Sequence, residues 1–162
     1  MAEGLVITRI FNAPVEKVWA AWTKPEQIMK WWGPKDFTAP HIELDFRVGG
    51  KYLYAMHGPA GTGFDMDMWS TGTIQEIVPF KKIAYTDNFA DAEGNVVSPS
   101  VYGLEGDWAG HFDVTVEFKD LGGKTELTLT HTGAPTREHQ DNMETGWNQS
   151  LDKFAAAVAE RS

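Results

Sequence analysis

Apolar residues recur along this chain with two periods. Over most of its length they alternate with polar residues, as on a strand with one buried face, and over the last quarter they fall at steps of three and four. Met143, Trp147, Leu151, Phe154 and Val158 share one stripe of a helix predicted over Thr136 to Arg161, while Asp141, Asn148, Asp152 and Glu160 lie off it. Thr136 supplies a cap just after Pro135, and the Ala155-Ala156-Ala157 run adds helix preference. Gly146 interrupts the helix beside Trp147 at a cost of about 1 kcal/mol relative to alanine, which predicts close approach of another backbone or of a ligand. A helix this long with one heavy apolar face has to lie on something broad.

Short strand-like runs upstream supply that surface. Leu5 to Phe11 alternates (Leu5, Ile7, then Ile10 after a slip) until Asn12-Ala13-Pro14 ends it. Val15, Val18, Trp19 and Trp22 then take helical spacing. Thr23 and Glu26 fit a capping box that opens a second, short helix carrying Ile28, Met29, Trp31 and Trp32 up to Gly33-Pro34. Further strands are predicted through Ile42, Leu44 and Phe46, along Tyr52, Tyr54 and Met56, over Met66 to Val78, over Lys82 to Phe89, and along Phe112, Val114, Val116 and Phe118. Gly122-Gly123 signals a hairpin into a last strand with Leu127, Leu129 and His131 on one side, for about seven strands in all. Two helices after a first strand, followed by an uninterrupted antiparallel run, predict an α+β domain spanning residues 1–162. Ala92 to Gly110 is long for a connection and carries Val96, Val97, Val101, Tyr102, Leu104 and Trp108, too apolar for a solvated linker. It is expected to fold over one end of the sheet and helix as a lid, or else to clip a sheet edge.

Composition narrows the partners. A net charge of -9 and a pI near 4.9 exclude a phosphate-backbone binder and disfavour an anionic membrane surface, so neither nucleic acid nor membrane is expected. With Cys 0 there is no disulfide framework, thiolate metal site or cysteine nucleophile. No apolar run approaches the roughly 20 residues of a membrane helix, and the opening residues lack a signal-peptide pattern, so a cytoplasmic location is expected. The 7 Trp and 9 Phe suit a broad interior or a lined pocket.

Several short motifs stand in a fixed order: Arg9-x-Phe11-x-Ala13-Pro14, Val18-Trp19-x-Ala21-Trp22-Thr23, Trp31-Trp32-Gly33-Pro34, Asp45-x-Arg47-x-Gly49-Gly50, Gly72 with Glu76-Ile77-x-Pro79, and Gly146-Trp147. Together they resemble the START-like (SRPBCC) superfamily. Within it they are similar to bacterial single-domain proteins like the C-terminal domain of the activator of the heat-shock protein 90 ATPase. The resemblance implies a helix-grip (Bet v 1-like) fold, a curved antiparallel sheet of about six or seven strands around a long C-terminal helix with a cavity between them. It carries over no catalytic set, cofactor or metal.

Familiar catalytic patterns are absent. Gly49-Gly50-Lys51 lacks the spacing of a P-loop, no Gly-x-Ser-x-Gly elbow occurs, and His41-x-Glu43 lacks the cysteines of a zinc deaminase. Asp65-Met66-Asp67 reads as a solvated loop in preference to a metal site. The better candidates are polar residues on otherwise apolar strand faces. If Ile83, Tyr85 and Phe89 face the helix, so does Asp87; if Leu127 and Leu129 do, so does His131. The plain alternative puts Asp87 in water at a frayed strand end and bonds His131 to a backbone carbonyl. The expected ligand-binding set is Tyr54, Met56, Trp69, Tyr85, Asp87, Trp108, His131 and Trp147. Three functions follow in order: a module binding an apolar or aromatic small molecule, a cyclase- or hydrolase-type enzyme using Asp87 and His131, and a chaperone-cofactor-like domain meeting a protein partner. A monomer or a homodimer fits each.

Overall fold

The computed structural model describes residues 4–104, 106 and 111–159. Its strands are β1 (Leu5–Phe11), β2 (Thr38–Leu44), β3 (Lys51–His57), β4 (Asp67–Val78), β5 (Lys82–Ala90), β6 (Phe112–Asp120) and β7 (Thr125–Thr132). They form one curled antiparallel sheet in the order β1-β7-β6-β5-β4-β3-β2. Two short helices, α1 (Val15–Thr23) and α2 (Pro25–Ile28), follow β1, and the long helix α3 (Arg137–Ala159) lies in the concave face. This is the α+β arrangement that the alternation predicts, in the helix-grip form that the resemblance implies. Thr136 caps α3 as expected, its hydroxyl accepting from the His139 backbone N–H at 3.1 Å.

The core forms where the aromatic residues of α1 and α3 meet. Phe154 is fully buried, with its ring centroid 4.9 Å from that of Phe11, 5.4 Å from Trp22 and 5.0 Å from Trp31. Leu127 and Leu129 of β7, Val116 of β6 and Leu151 of α3 close the same layer at 0% exposure. The indole of Trp31 donates to the Ala21 carbonyl at 2.9 Å, so even its polar edge is satisfied inside. The buried residues of α3 (Ser150, Leu151, Phe154, Ala157 and Val158) all fall in its second half. Met143 and Trp147, higher on the same stripe, are only partly covered. The helix is therefore pressed onto the sheet at one end and stands off it at the other.

Two local expectations are corrected. β1 does not slip: alternation continues through Arg9, which turns inward to reach the Asn148 carbonyl at 3.1 Å and the Asp152 carboxylate at 2.9 Å, while Ile10 faces out at 59% exposure. The Thr23/Glu26 capping box does not form. Pro25 drives the preceding Lys24 into extended backbone (φ -104, ψ 123), making Lys24 the cap, and Thr23 bonds back to the Trp19 carbonyl at 2.9 Å. In the Ala92–Gly110 connection, Val96 and Val101 face solvent at 62% exposure each. Tyr102, at the end of a 3₁₀ turn over Pro99–Tyr102, holds the segment to the sheet. Its hydroxyl donates to the Ala90 carbonyl at 2.5 Å and accepts from the Trp69 N–H at 3.1 Å.

Candidate functional site: a cleft under the first half of the C-terminal helix

Where α3 lifts away, a cleft of about 320 Å³ opens. Its floor is the concave sheet face: Met56 on β3, Met68 and Ser70 on β4, Asp87 and Phe89 on β5, Phe112 on β6 and His131 on β7. Met143, Gly146 and Trp147 of α3 form the roof, Trp32, Gly33 and Pro34 one side, and Leu104 part of the other. The lysine Lys153 fixes the Gly33–Phe37 side to the helix. Its ammonium donates to the carbonyls of Gly33, Pro34 and Phe37 at 3.0, 3.2 and 3.0 Å, and the Lys35 N–H donates to Gln149 Oε1 at 3.1 Å.

Asp87 owes its setting to a residue two strands away. Tyr52 of β3 pairs across with Gly72 of β4, and its ring crosses that glycine so that its hydroxyl reaches both the Asp87 carboxylate and the Thr86 carbonyl of β5. Only glycine permits the crossing, because a Cβ at position 72 would run into the Thr86 carbonyl and lie 2.9 Å from the Tyr52 ring. The β4–β5 ladder is irregular nearby, with a register shift between Ile74 and Glu76, and Thr73 N–H donates to the Thr86 hydroxyl at 3.1 Å. Burial raises the Asp87 carboxyl from the ordinary 3.8 to about 7, against the opposing pull of the Tyr52 hydroxyl and the Asn88 backbone N–H. Burial and the Asp87 charge in turn push the Tyr52, Tyr54 and Tyr85 phenols up, so none of them ionises near neutral pH.

His131 is held differently. The Trp147 indole N–H donates to its Nδ1 at 2.8 Å, which places the proton of the neutral ring on Nε2. That Nε2 is buried without a hydrogen-bond partner among the described residues. Burial pulls His131 down to about 4, so the ring is neutral at physiological pH. Asp87 and His131 lie on the same face of the sheet, on β5 and β7 with β6 between, His131 standing in the row of Val114 and Tyr85 and Asp87 in the row of Phe112. Phe112 pairs in register with Asp87, and its ring centroid sits 5.3 Å from that of His131. The two polar groups thus face one cleft with an aromatic ring between them, each bonded to a different partner. Neither plain alternative holds: β5 continues past Asp87 to Ala90, and His131 bonds an indole in place of a backbone carbonyl.

Of the expected ligand set, Met56, Asp87, His131 and Trp147 converge on the cleft. Trp69 borders it, but pairing in one row with Ala55 and His41 puts its side chain on the outer sheet face, its ring centroid 5.2 Å from that of His41. Tyr54 and Tyr85 lie one layer deeper, in the core, beside a void of about 20 Å³ that holds one water at most. Trp108 lies outside the described residues. Phe89, Phe112, Met68 and Trp32 join the lining without having been singled out from the sequence; the first two share the inward parity of Asp87 and Val114, a signal that was available. Gly146 lines the roof, yet a Cβ there would meet only Pro34 Cγ at an ordinary 3.5 Å, so no backbone presses on it. Asp65 and Asp67 flank His57 at 2.6 and 2.7 Å on the surface, and among the described residues no cluster has the make-up of a metal site. Among the same residues no helix is long and apolar enough to cross a membrane.

Comparison with known proteins agrees with this architecture. The family model for Activator of Hsp90 ATPase homolog 1-like protein matches residues 12–159. A solved structure of a Chromobacterium violaceum protein is 28% identical, with 99% of this chain and 100% of that one aligned at a TM-score of 0.80. An Arthrobacter aurescens protein is also 28% identical over 98% and 87% of the two chains, at a TM-score of 0.78. The AHSA1 protein of Silicibacter pomeroyi shares the fold at 21% identity, over 97% of this chain and 98% of that one, with a TM-score of 0.74. No curated protein matches. With its grip fold, its motif order and a family match running from the end of β1 through α3, the chain belongs to the Activator of Hsp90 ATPase homolog 1-like family of START-like proteins.

Proposed function

We propose that the protein binds an apolar or aromatic small molecule in the cleft between the sheet and the first half of α3. The observation that carries this reading is the lift of α3. A stripe of helical residues that packs solidly from Leu151 onward leaves Met143 and Trp147 over about 320 Å³ of space. That volume is within the usual range for small-molecule sites, and the lining has their usual make-up, methionines and aromatic rings with a few convergent polar groups. Methionine suits such a wall because its flexible thioether adapts to irregular ligand shapes.

Native mass spectrometry of the protein purified from its own host tests the reading. A mass excess of small-molecule size that disappears on denaturation supports it. A bare chain mass, joined by failure of a panel of planar apolar compounds to quench the tryptophan emission saturably, overturns it.

Acid–base chemistry is the second reading. It is favoured by a carboxyl that titrates near 7 inside a cleft. Because Phe112 separates Asp87 from His131, Asp87 would act alone on a substrate proton, with His131 as a neutral hydrogen-bond donor.

A further inference from the structure

The lining of the cleft is uneven in charge. Among the described lining residues Asp87 is the only carboxylate, and there is no lysine or arginine. Lys153, itself outside the lining, is already taken up by the backbone carbonyls of Gly33, Pro34 and Phe37. Tyr52 and the Asn88 backbone N–H donate to Asp87, which leaves further lone pairs on a carboxylate that lines the cleft. The walls beside it are indole, phenyl and thioether, surfaces that attract a positive charge through ring quadrupoles and polarisable sulfur. The overall charge of -9 adds a field of the same sign. At the opposite side His131 presents a neutral ring whose buried Nε2–H has no partner among the described residues, a donor suited to an oxygen acceptor.

We infer that the molecule held in the cleft is a hydrophobic organic amine, its ammonium paired with Asp87 and its ring body lying against Trp32, Met56, Phe112 and Trp147. This deepens the small-molecule reading and rests on it. An anionic ligand such as a fatty acid is disfavoured, since its carboxylate would meet Asp87 and find no cation to pair with. An oxygen on the amine's far end would satisfy His131. Pairing draws the proton off Asp87: the carboxylic acid releases H⁺ to solvent as the ammonium takes its place beside the carboxylate, so binding weakens with acid. The titratable groups around Asp87 are Tyr52 and Tyr54 from β3 and Tyr85 from β5, behind it in the core, while His131 from β7 and His139 from α3 line the cleft itself. The phenols do not ionise near neutrality, and His131 is neutral there.

Three isosteric probes test this: 1-naphthylmethylamine, 1-naphthylmethanol and 1-naphthoate, titrated against tryptophan fluorescence at about pH 8. The amine is expected to bind at least about tenfold more tightly than the alcohol, and the alcohol more tightly than the acid. Calorimetry of the wild type in buffers of differing ionisation enthalpy should show close to one proton released per amine at about pH 5.5 and close to none at about pH 8. Asp87→Asn should bring amine and alcohol to within about twofold of each other. The wild-type order and the proton count stand on their own if that variant folds poorly. Equal binding of amine and alcohol, or the acid binding best, overturns the inference while leaving the small-molecule reading in place. Saturable binding by none of the three overturns both.

Discussion

Replacing Asp87 with asparagine should make the protein more stable at neutral pH while leaving its stability in acid nearly unchanged. In the folded state the carboxyl holds its proton up to about 7, whereas in the unfolded chain it lets go near 3.8. Between those values the native state binds more protons than the unfolded one, so its stability falls as pH rises and stays reduced above about 7. A shift of that size corresponds to about 4 kcal/mol, and water entering through the cleft trims it to about 2–4 kcal/mol. Asparagine keeps an oxygen to accept from the Tyr52 hydroxyl but carries no such penalty. Urea unfolding of both proteins from about pH 4 to pH 8.5 measures the gap directly. The wild-type profile alone is a poor guide. His131, pulled down from 6.5 to about 4, contributes stability that is present above 6.5 and lost as pH falls through that range, opposing Asp87 in the same window. The gap between asparagine variant and wild type should grow from near zero in acid to about 2–4 kcal/mol above about pH 7.5. A gap that is flat with pH, or a wild type that gains on the variant as pH rises, would refute the reasoning.

His131→Gln should remove the opposing term: relative to this variant, the wild type loses about 3 kcal/mol on acidification from about pH 7.5 to pH 4, again by urea unfolding. Gly72→Ala should destabilise the protein by about 1–3 kcal/mol or more by driving a methyl into the Thr86 carbonyl, and it should detach Tyr52 from Asp87, visible as a larger gap in Asp87 proton affinity between folded and unfolded states in the same titration, because the Tyr52 hydroxyl no longer favours the charged form. Gly146→Ala, which meets only Pro34 at a comfortable distance, should raise the melting temperature, with a gain of about 0.5–1 kcal/mol.

Much of the fold was legible because β6 and β7 each carry a clear alternation and α3 an unbroken stripe. Parity alone put Asp87 and His131 on the concave face, since period two admits only one assignment once Tyr85 and Leu129 are buried. What parity does not encode is reach across strands. The Tyr52 bond to Asp87 depends on Gly72 leaving a gap in the strand between them, and the Trp147 bond to His131 depends on the height at which α3 crosses β7. The same limit explains Tyr54 and Tyr85. They face the right side of the sheet, but α2 and the Trp31–Trp32 turn fill the space in front of them. Arg9 was misread because an inward arginine breaks the apolar count of β1, and only the backbone and carboxylate partners offered by α3 make that position tolerable. The Thr23/Glu26 box failed for a local reason, the restriction that Pro25 places on Lys24.

The most direct test of a ligand cleft under α3 is methyl NMR of protein labelled at the methionines, titrated with 1-naphthylmethylamine. Met56, Met68 and Met143 line the cleft, while Met29 and Met66 lie outside it at 46% and 36% exposure. Binding in the cleft predicts saturable, ring-current-sized shifts of the first three methyl signals together, with the other two unmoved. Shifts confined to Met29 or Met66, or no shifts at concentrations that quench the tryptophans, would contradict it.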